Sequence, residues 1–273
     1  MSDIAAAFDG GYPSRQEARG GSRGDDKTPP DDAAPIFIVG LPRSGTTLVD
    51  RILSSHSAVH SRGESSDVAA AVTQIAGAAP TKAELVRRAA AADARELARR
   101  YFARLPPAPQ SRIIDKTPMN FLYLGLIAAG MPGASLIHVR RGPLDVCYAM
   151  YKTLFRMAYP FTYDFADLAQ YTIAYHQLMA HWRELLGDRL IEVDYEELVA
   201  DQEGQTRRLL AACRLPWQAA CMDFHRNTSP SLTASAAQVR QPMYRSSVGL
   251  WRRYAGELAP LAALLRAAGI EPE

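Results

Sequence analysis

Short apolar runs alternate along the chain with longer stretches of helical spacing. Ile36-Phe-Ile-Val39 is a run bounded by Pro35 and Gly40, the pattern of a buried strand, and Leu48, Ile52 and Leu53 follow it at helical spacing. Further strands are predicted at 112–115, 135–139 and 190–193. Helices are predicted over 121–129, from Pro143 past Tyr151, and over 165–186 and 203–213, with two more at 248–254 and 257–268. Pro143 sits where a first helical turn tolerates proline. Between the first two strands the pattern gives a loop over 56–64 and an alanine-rich helix from Asp67. A second helix, opened by the capping-box spacing of Thr81 and Glu84, is expected to run to Arg104. Pro106, Pro107 and Pro109 mark a connector, 156–164 is a loop carrying Tyr159, Phe161 and Tyr163, and 227–244 is irregular. Strands alternating with helices predict an α/β fold of three layers, with a central parallel sheet and helices on both faces. One domain is expected over 34–273. Residues 1–33, rich in Gly, Ser, Asp, Arg and Pro without periodicity, read as a disordered N-terminal tail.

Composition narrows the function classes. The 273 residues are ample for a buried core, and a net charge of +2 argues against a dedicated nucleic-acid binder. Cys147, Cys213 and Cys221 lack metal-site spacing and point to a reducing compartment without a zinc site. No run is long and apolar enough to span a bilayer, and the N-terminus has no apolar core of a secretory signal. A cytoplasmic protein without a metal is expected.

Candidate chemistry begins immediately after the first strand. Gly40-Leu-Pro-Arg-Ser-Gly-Thr-Thr47 is a glycine-bounded loop leading into a helix, the layout that lets backbone N–H groups converge on an anion. The fold is therefore expected to be P-loop-like. Its glycine spacing matches the nucleotide P-loop, but Thr46 holds the lysine position and the cation stands earlier, at Arg43. NTP-using enzymes need that lysine at the β/γ-phosphates. A compact anion other than a triphosphate is expected here. Lys116, Arg140, Arg141 and Tyr195 also fall at the carboxyl ends of predicted strands, where open parallel sheets bind ligands.

Five segments occur in order: the 40–47 loop, Asp115-Lys-Thr-Pro118, Val139-Arg-Arg-Gly-Pro-Leu-Asp145, Asp194-Tyr-Glu-Glu-Leu198 and Thr233-Ala-Ser-Ala-Ala-Gln-Val-Arg-Gln-Pro242. Together they resemble the bacterial sulfotransferases often fused to tetratricopeptide repeats, and are similar to the tyrosylprotein sulfotransferases. The resemblance covers residues 35–268 and does not include a repeat array. It implies a donor, 3'-phosphoadenosine 5'-phosphosulfate (PAPS), and a hydroxyl-bearing acceptor: a small molecule, a glycan, a lipid or a protein tyrosine. By resemblance, Arg43, Ser44, Gly45, Thr46 and Thr47 hold the 5'-phosphosulfate and Arg141 the 3'-phosphate, which suits an arginine fork. Tyr195 would lie near the nucleotide or serve as a strand-end core tyrosine. The 235–244 stretch, with Gln238 and Arg240, would close over the donor. Glu64 matches the catalytic base, and Lys116 and Ser235 match the groups that neutralise the leaving oxygen. His56 and His60 flank the same loop as Glu64, as alternative bases or as packing residues. No metal is needed.

Two positions depart from the family pattern. Ala149 replaces a serine that bonds the 3'-phosphate, and losing one hydrogen bond to a charged group costs about 1.5–3 kcal/mol. Leu250 replaces a cation near the nucleotide, with Arg240, Arg245, Arg252 and Arg253 as candidate substitutes. An active PAPS-dependent sulfotransferase is expected; the alternative is a non-catalytic homologue that binds PAPS or its desulfonated product, 3'-phosphoadenosine 5'-phosphate (PAP).

Overall fold

The computed structural model describes residues 1–12, 16, 34–105, 112–156, 158–229 and 235–272. Five strands, β1 (Ile36–Val39), β2 (Val59–Ser61), β3 (Arg112–Asp115), β4 (Ser135–Arg140) and β5 (Leu190–Asp194), form one sheet in the order β2-β3-β1-β4-β5. Every pairing is parallel. The chain leaves β1 for the β2 edge, returns through β3 on one flank of β1, then crosses to β4 on the other. That reversal opens a crevice at the carboxyl end of β1, where ligands bind in such sheets.

Successive strand residues point to opposite faces, and each face of this sheet is covered. Ile36, Ile38, Ile137 and Val139 meet α2 (Thr46–Ser54), α9 (Tyr195–Ala200) and α10 (Gln202–Ala212) through Val49, Ile52, Leu198, Leu209 and Leu210. Phe37, Val39 and Leu136 meet a larger layer: α3 (Asp67–Ala76), α4 (Lys82–Ala90), α5 (Arg95–Phe102), α6 (Leu124–Gly130), α7 (Pro143–Tyr151), α8 (Phe165–Leu186) and α11 (Ala259–Ala267). The result is the P-loop-like three-layer α/β architecture. Buried Arg112 ties the base of the sheet together. Its guanidinium donates to the Ala34 and Cys213 carbonyls and, at 3.0 Å, to Ser135 Oγ.

Three sequence expectations are corrected. The first concerns the N-terminal tail. Ser2–Ala5 is a helical turn, α1, and Ile4, Phe8 and Tyr12 are buried in the larger core. Phe8 lies over Gly125 of α6, where an added Cβ would come within 2.5 Å of its ring, and packs edge-on against Trp182 at 5.1 Å. Gln16 bonds the Ala90 and Ala92 carbonyls and the Ala94 N–H. Residues 17–33 lie outside the described residues. The second concerns the loop expected over 56–64, which contains the edge strand β2. The third concerns the helix expected to reach Arg104. Thr81 caps its start by accepting the Glu84 N–H at 3.1 Å, but the helix stops at Ala90. It restarts at Arg95, whose N–H donates to Asp93 Oδ1. The proline connector at 106–109 lies outside the described residues.

Phe8→Ala separates a packed N-terminal clasp from a loose tail. The side chain is fully buried, so its loss is expected to destabilise the fold by about 3–5 kcal/mol. Urea denaturation measures this, and an unchanged midpoint would show that the segment contributes no core.

Candidate active site

The 40–47 loop turns at three residues with left-handed backbone, Gly40 (φ 155°), Arg43 (φ 70°) and Gly45 (φ 109°). A Cβ at Gly40 would sit 2.6 Å from the Val139 carbonyl, and one at Gly45 would sit 2.6 Å from the Tyr195 ring. Both glycines are therefore required by close approach as well as by backbone conformation. Arg43 adopts this region without that freedom, and such strain persists only where neighbours over-determine it. The neighbours are present. Its guanidinium donates to Ser235 Oγ and, at 2.6 Å, to Gln238 Oε1. Its carbonyl accepts from Arg141 Nη1 at 3.2 Å.

Arg141, just beyond β4, also donates to the Ser247 carbonyl at 2.5 Å and stacks on the Tyr195 ring at 4.7 Å. The Tyr195 hydroxyl meets Ser247 Oγ at 2.7 Å. Asp145, on the first turn of α7, accepts the Gly249 N–H at 2.6 Å and the Trp251 N–H at 3.3 Å. It thereby anchors the C-terminal segment over the crevice.

These groups enclose a cleft with a cavity volume of about 240 Å³. Of the site residues predicted from sequence, Arg43, Gly45, Thr47, Arg141, Tyr195, Ser235 and Gln238 line it. Ser44 and Thr46 are buried within the loop and are not part of its wall. Arg240 is exposed and does not line it. Ala149 and Leu250 do, while Arg245, Arg252 and Arg253 do not. Thr233 lies outside the described residues.

Lys152, which the motifs did not flag, completes the cationic wall. It stands one turn past Ala149, with its ammonium 4.7 Å from the Tyr148 ring centroid. Burial, then the charges of Arg43 and Arg141, hold its pKa below the usual lysine range. Arg43 is likewise lowered, by burial first and by Arg141 second. Like charges brought together in this way disfavour one another's ionised forms. The Nε atoms of Arg43 and Arg141 are buried without a partner among the described residues. A cleft with spare buried donors and concentrated positive charge fits a polyanionic ligand.

Glu64 and Lys116, predicted from sequence, do not line this cleft; they pair with each other just past β2 and β3. The β2–β3 pairing continues past the strands: the Arg62 N–H donates to the Ile114 carbonyl, and the Lys116 N–H to the Gly63 carbonyl at 2.9 Å. That register sets Lys116 Nζ 2.7 Å from Glu64 Oε1. Lys116 is 1% exposed and Glu64 45%. Thr117 ties the two loops, its hydroxyl oxygen accepting the Ser65 N–H at 2.9 Å. Asp115 accepts from Ser65, Thr117 and Asn120, and burial pushes its carboxyl up to about 6. The Gly40 N–H donates to the Pro118 carbonyl at 3.3 Å, joining this unit to the 40–47 loop. Arg43, Lys116 and Arg141 thus follow the carboxyl ends of three neighbouring strands, β1, β3 and β4. Tyr159 lies within Coulombic reach of Glu64, and burial, then that charge, raises its pKa.

The two histidines flanking the Glu64 loop differ, His60 on β2 being exposed. His56 is buried, with Nε2 at the Pro216 carbonyl and Nδ1 accepting the Ala58 N–H. Among the described residues no group of three His, Cys, Asp or Glu could hold a metal ion, and no helix is long and apolar enough to cross a membrane.

Comparisons with known proteins agree with this geometry. The profile of the sulfotransferase family matches residues 35–219. An uncharacterized protein of Aquifex aeolicus is 35% identical over 244 residues, covering 85% of this chain and 32% of that protein. A protein-tyrosine sulfotransferase of Drosophila melanogaster is 25% identical over 271 residues, covering 87% of this chain and 52% of that protein. The chain thus spans about a third and about half of the length of these relatives. Among solved structures, the sulfotransferase domain of the Synechococcus PCC 7002 olefin synthase shares the fold with a TM-score of 0.57 at 19% identity, over 85% of this chain and 90% of that one. A mouse sulfotransferase complexed with PAP does so with a TM-score of 0.52 at 15% identity, over 88% and 87%. The match to the family profile across most of the chain, on a sheet whose rim gathers the same motifs, places this protein in the sulfotransferase family.

Proposed function

We propose that the chain transfers a sulfuryl group from PAPS to an acceptor hydroxyl, with PAP as the second product. The observation that carries this reading is the cationic cleft, walled by Arg43, Arg141 and Lys152, joined to the Lys116–Glu64 pair through the Gly40 to Pro118 hydrogen bond. The PAP complex of the mouse fold neighbour is consistent with that donor.

The donor supplies an SO₃ unit whose bond to the bridging phosphate oxygen breaks as the acceptor oxygen bonds sulfur. The 40–47 loop and the start of α2 hold the 5'-phosphosulfate with backbone donors and a helix dipole of favourable sign. Arg141 grips the 3'-phosphate. Glu64 takes the acceptor proton, as a carboxylate within reach of a hydroxyl can. The Lys116 ammonium and Ser235 Oγ offset the negative charge that grows on the leaving oxygen. Lys152, rather than an arginine of the C-terminal segment, supplies the charge that Leu250 lacks, and the apolar Ala149 leaves the 3'-phosphate with one hydrogen bond fewer. The acceptor is a small molecule, glycan, lipid or protein tyrosine whose hydroxyl reaches Glu64 beside Tyr159. A reading without turnover is favoured by one feature only, the two apolar residues Ala149 and Leu250 in the cleft wall.

Incubation of the protein with PAPS and a panel of phenols, tyrosine peptides, sugars and lipid alcohols is expected to release PAP with at least one acceptor. Glu64→Gln is expected to lower kcat about 100-fold or more, and Lys116→Ala about 100- to 1,000-fold, with PAP affinity retained in the first. PAP binding without release from any acceptor would decide for the non-catalytic homologue.

Lys152→Met tests the cationic wall. Calorimetric PAP affinity is expected to fall about three- to tenfold, while affinity for adenosine 5'-phosphate, which lacks the 3'-phosphate, stays constant. Equal losses for both nucleotides would place Lys152 elsewhere.

A further inference from the structure

The end of β3 carries a buried carboxylate next to Lys116 that the transfer chemistry does not use. Asp115 pairs in register with Phe37 of β1 and is 1% exposed. Its hydrogen-bond donors are neutral. Ser65 Oγ donates to Oδ2 at 2.8 Å, Thr117 Oγ1 to Oδ1 at 2.6 Å, and Asn120 Nδ2 to Oδ1 at 3.2 Å. Arg62 and Arg104 pair with Asp67 at 2.9 and 3.0 Å.

The hydrogens can be assigned one by one. An ionised carboxylate only accepts, and each hydroxyl has a single hydrogen to give. Thr117 Oγ1 also lies 3.0 Å from the Ser65 carbonyl, but Asp115 is both the nearer acceptor and the charged one. The Thr117 hydrogen therefore goes to Asp115, as does that of Ser65. With their hydrogens so directed, the two hydroxyl oxygens are left to accept. Thr117 Oγ1 accepts the Ser65 N–H at 2.9 Å, and Ser65 Oγ accepts the Asp67 N–H at 3.3 Å, at the start of α3. Donation runs from two backbone amides through two hydroxyls to one carboxylate, and bonds aligned in this way polarise one another.

The Ser65 N–H belongs to the peptide bond that leaves Glu64, and Thr117 directly follows Lys116. On the other side of Glu64, Gly63 is held by strand register: its carbonyl accepts the Lys116 N–H at 2.9 Å, and its own N–H donates to Ser61 Oγ at 3.0 Å. The Glu64 backbone is thus fixed before by β3 and after by the Asp115 chain. Its side chain, 45% exposed, has little packing to fix it, so the backbone decides where Oε1 can reach Lys116 Nζ.

We infer that Asp115 is a positioning residue of the transfer site: through the Thr117 hydroxyl it fixes the Glu64–Ser65 peptide and so holds the Glu64 carboxylate against the Lys116 ammonium. The effect on transfer rests on the PAPS reading above; the effect on the loop does not.

Thr117→Val cuts the chain while keeping the shape of the side chain. Amide hydrogen exchange over residues 62–67 of the nucleotide-free full chain is expected to quicken about tenfold. With a working acceptor, kcat is expected to fall about 10- to 100-fold, with KM for PAPS and PAP affinity unchanged, because neither Glu64 nor Lys116 lines the cationic cleft. Thr117→Ser, which keeps the hydroxyl, is expected to retain slow exchange and kcat. Asp115→Asn, which offers Thr117 a neutral oxygen, is expected to show smaller changes of the same sign. In a Glu64→Gln background, Thr117→Val is expected to add little further loss, since it acts through Glu64. Unchanged exchange in Thr117→Val overturns the inference, whatever the donor. So does quickened exchange with kcat unchanged, or a loss in kcat that adds in full to that of Glu64→Gln. Quickened exchange in Thr117→Val, with a wild-type protein that releases no PAP from any acceptor, would uphold the loop-holding role and remove the PAPS reading instead.

Discussion

Electrostatic repulsion inside the cationic cleft is the constraint around which the rest of the structure is arranged. Arg43, Arg141 and Lys152 face the same space, and Asp145 is the acid among the wall residues. Asp145 does little to relieve them, because its carboxylate is engaged by the Gly249 and Trp251 amides. The helices α2 and α7 both begin at this rim, so their positive dipole ends add to the same field. A parallel sheet makes such a concentration possible, since all its strands deliver their following loops to one edge. The fold holds the cations there by rigid means: glycines that admit close approach, a ring stacked on Arg141, and carbonyls that accept from its guanidinium. Some of the folding free energy is therefore held as a pre-formed preference for anions, which is the logic of a preorganised electrostatic site.

Much of this was legible along the chain, for reasons that differ between elements. Buried strands announce themselves as apolar runs, which is why β1, β3, β4 and β5 were readable. β2 was not, because a three-residue edge strand has one buried position, Val59, and no run to display. Its omission hid why Glu64 meets Lys116, since the β2–β3 register is what aligns them. The N-terminal segment carried a readable signal that its neighbours masked. Ile4, Phe8 and Tyr12 are spaced four apart, the spacing of one helical face, but the Gly- and Ser-rich stretch after them set the composition of the whole segment. The break between α4 and α5 was signalled by Asp93, a residue that competes for local backbone N–H groups, inside an otherwise uniform helical pattern.

Side chains that act through long-range contacts left less trace. Lys152 reads as an ordinary helix-end lysine until α7 is placed against the cleft. Ser247 has no motif of its own, yet it touches both Arg141 and Tyr195. Tyr175 and His138 lie on elements whose periodicity marks them as core, and core they are. Only the three-dimensional fold shows that their polar atoms meet each other and Glu192 inside that core. The motifs thus named several groups that line the cleft, while the groups that hold them in place were determined by packing.

The two sides of the site also differ in exposure, and that difference bears on direction. Lys116 is buried and Glu64 is half open. A buried ammonium is costly unless it faces a partner, and here it has one carboxylate inside a wall that also feels the charge of Asp50, a buried acid of α2. Tyr159, on the loop before α8, feels the Glu64 charge. In the proposed reaction an acceptor hydroxyl approaching from solvent would meet the exposed carboxylate, and the leaving oxygen the buried ammonium. On that proposal the proton and the negative charge go to the two partners of one ion pair, which differ in exposure. The pairing itself follows from a single register choice, β2 beside β3, that carries Glu64 to the buried lysine.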